Sequence, residues 1–287
     1  PNVAVTRVSE GSYQAQVIGY GEVKAHYQIN LTAQVSGRVD SLDAHFASGG
    51  EFKSGETLVK INDIAYRQAV AAAQASVASA NLALLEEQRQ GKQALLEWQR
   101  SGMEGQPDSL LVLRKPQLDA AKATLVNAQQ QLEKAQYDLD NTVVSSPFSA
   151  LVVSKAVQPG SYVQSGSEIA TLYSTDLVEV SISLSDQQWA SLPSSNELVN
   201  SRWPVTLTGI SADRQWQGYV ARVEQHVNAT DRQRALVIAV DKPLTQKTPL
   251  YPGSFVTASL QGQQLANLWQ LPASAISQNG DVWYVDN

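Results

Sequence analysis

The sequence has no cysteine, one methionine (Met103) and three histidines (His26, His45 and His226) among 287 residues. Without thiols there are no disulfides, thiol nucleophiles or thiolate metal sites, and the redox compartment stays open. The scattered histidines and the single Met offer no ligand set, so no metal is expected. No uninterrupted apolar run approaches the roughly 18 residues a bilayer span needs, so no membrane-spanning helix is expected. No signal peptide is visible either. Positive charge is the scarcer sign: 21 Lys and Arg stand against 27 Asp and Glu, for a net charge of −6. That balance argues against a general nucleic-acid binder. There is no phosphate-cradling glycine loop, no Ser/His/Asp constellation and no carboxylate pair in a plausible cleft. No catalytic residue, cofactor or enzymatic activity is therefore expected.

What the chain does contain is an interrupted repeat. Residues 34–61 and 146–172 read as two copies of one β-rich half-domain. Each carries a Gly-x5-Gly spacing, Gly49 to Gly55 and Gly160 to Gly166, followed by a short apolar run. Gly37 and these four glycines suit tight turns with positive φ. Residues 64–141 lie between the copies and have a different, helical texture.

Residues 64–100 contain no proline and carry a seven-residue ladder, Val70, Val77, Leu84, Gly91 and Trp98, with Ala73, Ala80, Glu87 and Ala94 as companions. The return segment repeats Leu111, Leu118, Leu125, Leu132 and Leu139, with Ala121, Ala128 and Ala135 three residues after the leucines. This is the a/d pattern of a coiled coil. Packing inside a helical bundle would give the same ladder, but the rest of the chain reads as β and supplies no third helix. An antiparallel hairpin over 64–141 is expected: helix 64–100, a tip at about 101–109 broken by Gly102, Gly105 and Pro107, and helix 108–141, in which Pro116 either kinks the helix, as the unbroken phase from Leu111 to Leu118 favours, or starts its regular part after an irregular stretch. Each arm would be roughly 50–55 Å long. Gln74, Gln88, Gln90, Gln93 and Gln129 to Gln131 make much of its surface uncharged, suited to solvent or to sister hairpins.

The flanking segments alternate with period two, as half-buried strands do. Ser185 to Gln188 reads as a capping box opening one short helix that ends near Pro193. Strands are expected at 178–184, 205–207, 218–223 and 235–241, with Pro252-Gly253 turning into the last strand of a small antiparallel barrel. Asp231 and Arg232 read as an ion pair pinning a turn. The N-terminal strands Val3–Val8 and Tyr13–Ile18 are expected to pack with a β piece over 271–285. Residues 282–287 read as a strand, so the native chain is expected to continue. A leader, lipid-anchor cysteine or membrane helix ahead of Pro1 stays open.

Several of these residues fall in the order of a known family. They are Val35-Ser36-Gly37-Arg38-Val39 with Gly49 and Gly55, Leu139-x-x-Thr142 running into Ser146-Pro147-Phe148, Asp231-Arg232-x-Arg234, Leu250-x-Pro252-Gly253-x-Phe255-Val256, and Leu271-Pro272-x-Ser274-Ala275-Ile276. Over nearly its whole length the chain resembles the periplasmic adaptors, or membrane fusion proteins of HlyD type, of RND-type tripartite efflux pumps. Ala150 departs from the glycine usual after Pro-Phe-x.

The resemblance implies a mainly β, elongated molecule with four modules. These are a partial membrane-proximal β domain (1–18 and 263–287), a β-barrel (19–30 and 176–262), an interrupted lipoyl-like sandwich (31–63 and 142–175) and the α-helical coiled-coil hairpin (64–141). Lys60 and Lys155 lie in or beside strands, so no swinging-arm cofactor is implied. The implied role is that of a link in the periplasm, attached to the inner membrane. It joins an inner-membrane RND transporter to a TolC-like outer-membrane channel and self-associates into a trimer or hexamer ring. An adaptor of an ABC-type efflux or type I secretion system is the alternative. The Arg-x3-Leu-x6-Ser docking motif of many such adaptors is absent from the tip, which leaves Met103, Gln106, Asp108 and Leu110 as candidate docking residues.

Overall fold

The computed structural model describes residues 8–102, 105, 107, 109–210, 214–228, 232–269, 271, 275–277 and 282. Most of the strand expected at Val3–Val8 and of the β piece expected over 271–285 lies outside these residues. In chain order, the first half-domain supplies β2 to β5 after a long first strand: β1 (Glu10–Ala25), β2 (Gln28–Thr32), β3 (Gly37–Leu42), β4 (Glu51–Phe52) and β5 (Thr57–Ile61). Then come α1 (Ile64–Arg100), α2 (Lys115–Asp140), β6 (Val143–Ser145), β7 (Ala150–Lys155), β8 (Tyr162–Val163) and β9 (Glu168–Ser174). The remainder is β10 (Leu177–Leu184), α3 (Asp186–Ala190), α4 (Ser195–Asn200), β11 (Pro204–Gly209), β12 (Gln215–Val227), β13 (Arg234–Asp241) and β14 (Phe255–Trp269). The chain divides into two compact units, Gln28–Tyr173 and Pro1–Tyr27 with Ser174–Asn287.

In the first of these units the two halves of the repeat interlock. One sheet runs β2-β9-β7-β4 and the other β6-β5-β3-β8, so each contains two strands from either half. The turn glycines seal the exchange. Gly49 and Gly55 donate to Val152 and Ser146 of the second half, and Gly160 and Gly166 donate to Val39 and Ala33 of the first, all at 2.8 Å. These four have φ between 83° and 88°, a conformation that a Cβ disfavours. Gly37 is different and corrects its assignment to a positive-φ turn: it lies in β3, where a Cβ would sit 2.5 Å from Ile61. Close packing, not φ, requires glycine there. A single core of Leu58, Val59, Ile61, Val152, Ile169, Leu172 and their neighbours lies within the unit. Ala150, the departure from the family pattern, is fully buried in that core.

The helices leave from adjacent strands: Lys60 of β5 pairs with Val143 of β6. They lie side by side in opposite senses. On α1 the half-buried and buried positions include Tyr66, Val70, Ala73, Val77, Ala80, Leu84, Glu87, Gly91, Ala94 and Trp98; on α2 they include Leu118, Ala121, Leu125, Ala128, Leu132, Ala135 and Leu139. α2 corrects two expectations. It begins at Lys115, not 108, and Pro116 occupies the first turn instead of kinking the interior. Proline is tolerated there because the missing N–H would be unpaired anyway. Leu111 therefore drops off the ladder and is 61% exposed.

By length and mean hydropathy alone α1 reaches the level of a bilayer span, although it contains no uninterrupted apolar run. An 18-residue window of it has a mean hydropathy of 1.2, with only 11% of the window buried. The sequence reading sought continuous large apolar residues; here alanine carries the hydropathy across interspersed Gln, Ser and Asn.

The second unit is a closed barrel in the order β1-β10-β13-β12-β11-β14. Period-two alternation turns Val178, Val180, Ile182 and Leu184 of β10 inward against Leu236, Ile238 and Val240 of β13. β1 runs unbroken through residue 18. A Cβ on its Gly21 would stand 2.6 Å from the Ser181 carbonyl, so glycine permits the close approach to β10. Ser185 and Gln188 form the capping box of α3. A second short helix, α4, follows with Ser194 as its N-cap. Its sequence, only six residues long, carries too little periodicity to be read in advance.

The α1–α2 seam is apolar, so charging it should separate the helices. Leu125→Asp with Leu132→Asp is expected to remove most of the 222 nm ellipticity, since these two helices hold nearly all of the α structure. The sandwich core should keep its cooperative thermal transition. Retention of the full helical signal would contradict this.

Candidate functional site

The candidate site is the far end of the helical arm, together with the features that hold the arm in place. At the root, Tyr66 of α1 donates to the Ser36 carbonyl (2.6 Å). Asp63 accepts from Arg67 at 2.6 Å, and Asn62 donates to Asp40 at 2.9 Å. A groove of about 530 Å³ lies there, lined by Arg38, Asn62, Tyr66 and Tyr162 among others. Thr142, buried just after α2, donates its hydroxyl to the Leu139 carbonyl at 2.6 Å and accepts from the Ile61 amide at 2.7 Å. Ser146 donates its hydroxyl to the Phe148 carbonyl at 2.7 Å, and the Pro147 carbonyl accepts from Ser54 at 3.2 Å.

At the far end, α1 closes with Ser101 donating to the Trp98 carbonyl (2.6 Å), and the Trp98 indole donates to Gly105 (3.1 Å). Met103, Gln106 and Asp108, three of the candidate docking residues, lie outside the described residues. Leu110, the fourth, is 60% exposed, beside exposed Leu111 and Val112. The segment that carries them is a turn, with the Lys115 amide reaching back to Leu110 (3.2 Å) and that of Arg114 to Leu111 (3.0 Å). Arg114 takes a left-handed φ of 58°, which costs a non-glycine residue on the order of 1 kcal/mol. Its guanidinium grips Glu87 of α1 through two bonds, 3.0 and 2.9 Å. Hydrogen bonding to Glu87 holds the Arg114 guanidinium above its ordinary range. The clasp escaped the sequence reading, although Glu87 breaking an otherwise alanine row was its signal.

In the barrel unit, Asp231 lies outside the described residues. Arg232 has a left-handed φ of 54° and donates its amide to the Asn228 carbonyl at 2.9 Å, next to the Asn228 amide's bond to Gln233 at the same distance. Gly253, at φ 89°, follows Pro252 and ties the last turn to β1 through a 2.7 Å bond to the Val23 carbonyl. Arg222 donates two bonds to Glu179, 2.6 and 2.8 Å, and His26 Nδ1 lies 3.0 Å from the same carboxylate. Arg222 holds the Glu179 carboxyl below the usual carboxylate range, against the opposing effect of burial. His45 and His226 stand beside Asp43 and Glu224 at 3.3 and 3.8 Å. Among the described residues no group of three or more His, Asp or Glu side chains is placed to hold a metal ion.

A body of interlocked halves that launches a paired-helix arm, together with a six-stranded barrel, is the fold in which the chain is similar to the periplasmic adaptors, or membrane fusion proteins. In sequence it is similar to proteins named "Multidrug resistance protein MdtA". It is 25% identical over 303 residues to that of Proteus mirabilis, covering 100% of this chain and 69% of the relative. To the one of Yersinia enterocolitica it is 22% identical over 296 residues, covering 100% of this chain and 65% of the relative. The chain thus spans about two thirds of the length of these curated relatives. Among solved structures, a MacA–MexA chimera containing the Pseudomonas aeruginosa MexA α-hairpin domain matches with a TM-score of 0.63 at 20% identity, over 94% of this chain and 86% of the other. MacA from Actinobacillus actinomycetemcomitans matches with a TM-score of 0.61 at 20% identity, over 96% and 87%. No family model matches the chain.

The depressed Glu179 carboxyl contributes stability that is present above the unfolded-state value of about 4 and is lost as pH falls through the lower folded-state value. Arg222→Met is expected to cost about 1 kcal/mol at neutral pH and to flatten the decline in stability below about pH 5. Denaturant midpoints measured across that range check this; superimposable curves for the two proteins would contradict it.

Proposed function

We propose that this chain is the adaptor of a tripartite efflux pump. It links an inner-membrane RND transporter to a TolC-like outer-membrane channel and so enables export of drugs or other small molecules. It acts in the periplasm, attached to the inner membrane, and performs no chemistry of its own. The observation that carries the reading is the paired-helix arm rooted in the cut edge of the interlocked sandwich. In this reading the helices are a coiled-coil hairpin and the sandwich is of lipoyl type. At about 1.5 Å rise per residue, the 37 residues of α1 give a spacer of roughly 55 Å. The name shared by the curated relatives supports multidrug export as the task. The barrel, with the β strands beside it, serves the transporter side, and copies of the chain assemble as a trimeric or hexameric ring around the conduit.

The exposed Leu110 and Leu111 are the docking contacts that remain where the family's Arg-x3-Leu-x6-Ser motif is missing. In a host whose own copy is deleted, the full-length protein carrying Leu110→Asp with Leu111→Asp should restore no more drug resistance than an empty vector, at an unchanged protein level. Resistance equal to that of the unaltered protein would count against this reading.

A further inference from the structure

Glu87 interrupts a row of α1 that is otherwise alanine, Ala73, Ala80 and Ala94. Arg114 holds the matching place on the return segment, seven residues before Ala121. Both therefore stand where the seam between the helices elsewhere takes alanine. There the Arg114 Nε and one terminal nitrogen are committed to Glu87, at 3.0 and 2.9 Å. A fork engaged through two prongs fixes direction as well as distance.

What the clasp fixes is the turn in front of it. Arg114 is left-handed, at φ 58°, and its amide and that of Lys115 close the turn on Leu111 and Leu110. The Leu113 carbonyl lies 3.6 Å from the place a Cβ on Gly91 would take, so the turn rests on a bare stretch of α1. Leu110 and Leu111 are left facing outward. Three residues beyond Arg114, the buried side-chain oxygen of Gln117 has no hydrogen-bond partner. A left-handed arginine and an unpaired buried acceptor both cost stability. Strain of this kind persists only where the surroundings over-determine the conformation, and here Glu87 supplies that constraint.

We infer that Glu87 is a positioning residue, which acts through Arg114 to hold the Leu110–Leu111 turn in its outward-facing form. Without that hold the two leucines gain by folding back on apolar surface, such as the exposed Leu95 and Leu96 of α1. With it, the turn is ordered before any partner arrives, so ordering it does not weaken the contact. Arg114 itself is not the contact, because its fork is already taken. The inference rests on the docking reading for what the turn is presented to; the hold of Glu87 on the turn stands apart from it.

Two variants separate positioning from direct contact. Glu87→Ala completes the alanine row, so 222 nm ellipticity should be unchanged, while Arg114 loses its partner. Adding Arg114→Gly supplies a residue that takes the left-handed conformation unaided, so the turn no longer needs the clasp. Hydrogen exchange at the amides of positions 114 and 115, read by NMR on the whole chain, reports the turn. Protection should fall about fivefold in Glu87→Ala and return to within about twofold of the unaltered chain in the double variant. Drug resistance conferred by the full-length protein, in a host lacking its own copy, should fall and return in the same order. Unchanged protection in Glu87→Ala would overturn the inference, as would a double variant no better protected than the single one. So would protection that returns while resistance does not, since that would make Arg114 a contact in its own right. Full resistance in Glu87→Ala, where Leu110→Asp with Leu111→Asp abolishes it, would overturn it too. Resistance that survives both of these changes, with protection falling as expected, would count against the docking reading and support the hold of Glu87 on the turn.

Discussion

The fold depends on the exchange of backbone hydrogen bonds between two half-domains that are far apart in sequence. Neither half can bury its apolar faces alone, because each sheet takes two strands from the other half. The four glycine turns lock the exchange, each donating its amide across the division. This places β5 beside β6, and so fixes the two points where the helices leave, one strand spacing apart. Closing so long an insertion costs entropy, though the cost grows slowly with length. The insertion offsets part of it by folding onto itself.

The arm is held differently along its length. Near the root, Leu and Ala knobs pack between the helices, and Thr142 ties the end of α2 to β5. Near the far end the Leu ladder stops at Leu118 and an ion pair takes over. Arg114 is held in a left-handed conformation where its fork can reach Glu87, and the turn before it presents Leu110 and Leu111 outward. The same features that end the helix thus create an apolar surface at the far end of the arm.

Much of this was legible in the sequence. The β-rich character, the barrel and the long helix follow from period-two and period-seven patterns that packing enforces. The capping box at Ser185 was readable because its partner residue is local. What escaped reading depends on tertiary context. Gly37 shares its residue type with the turn glycines but is required by the nearness of Ile61. The phase of the Leu ladder from Leu111 to Leu118 favoured a kink at Pro116, but the turn before it makes Pro116 part of the helix start. The Glu87–Arg114 clasp joins residues from two helices whose register no local pattern fixes. The spanning-grade hydropathy of α1 was missed because alanine, spread among glutamine and serine, does not look like a continuous apolar run.

The central claim is that the two halves form one cooperative body. Native-state hydrogen exchange read by mass spectrometry tests it most directly, on peptides covering 49–61 and 150–172. Interlocked halves should open together, with the same free energy and the same denaturant dependence in both sets of peptides. Two distinct opening energies, with one half exchanging while the other stays protected, would contradict the account.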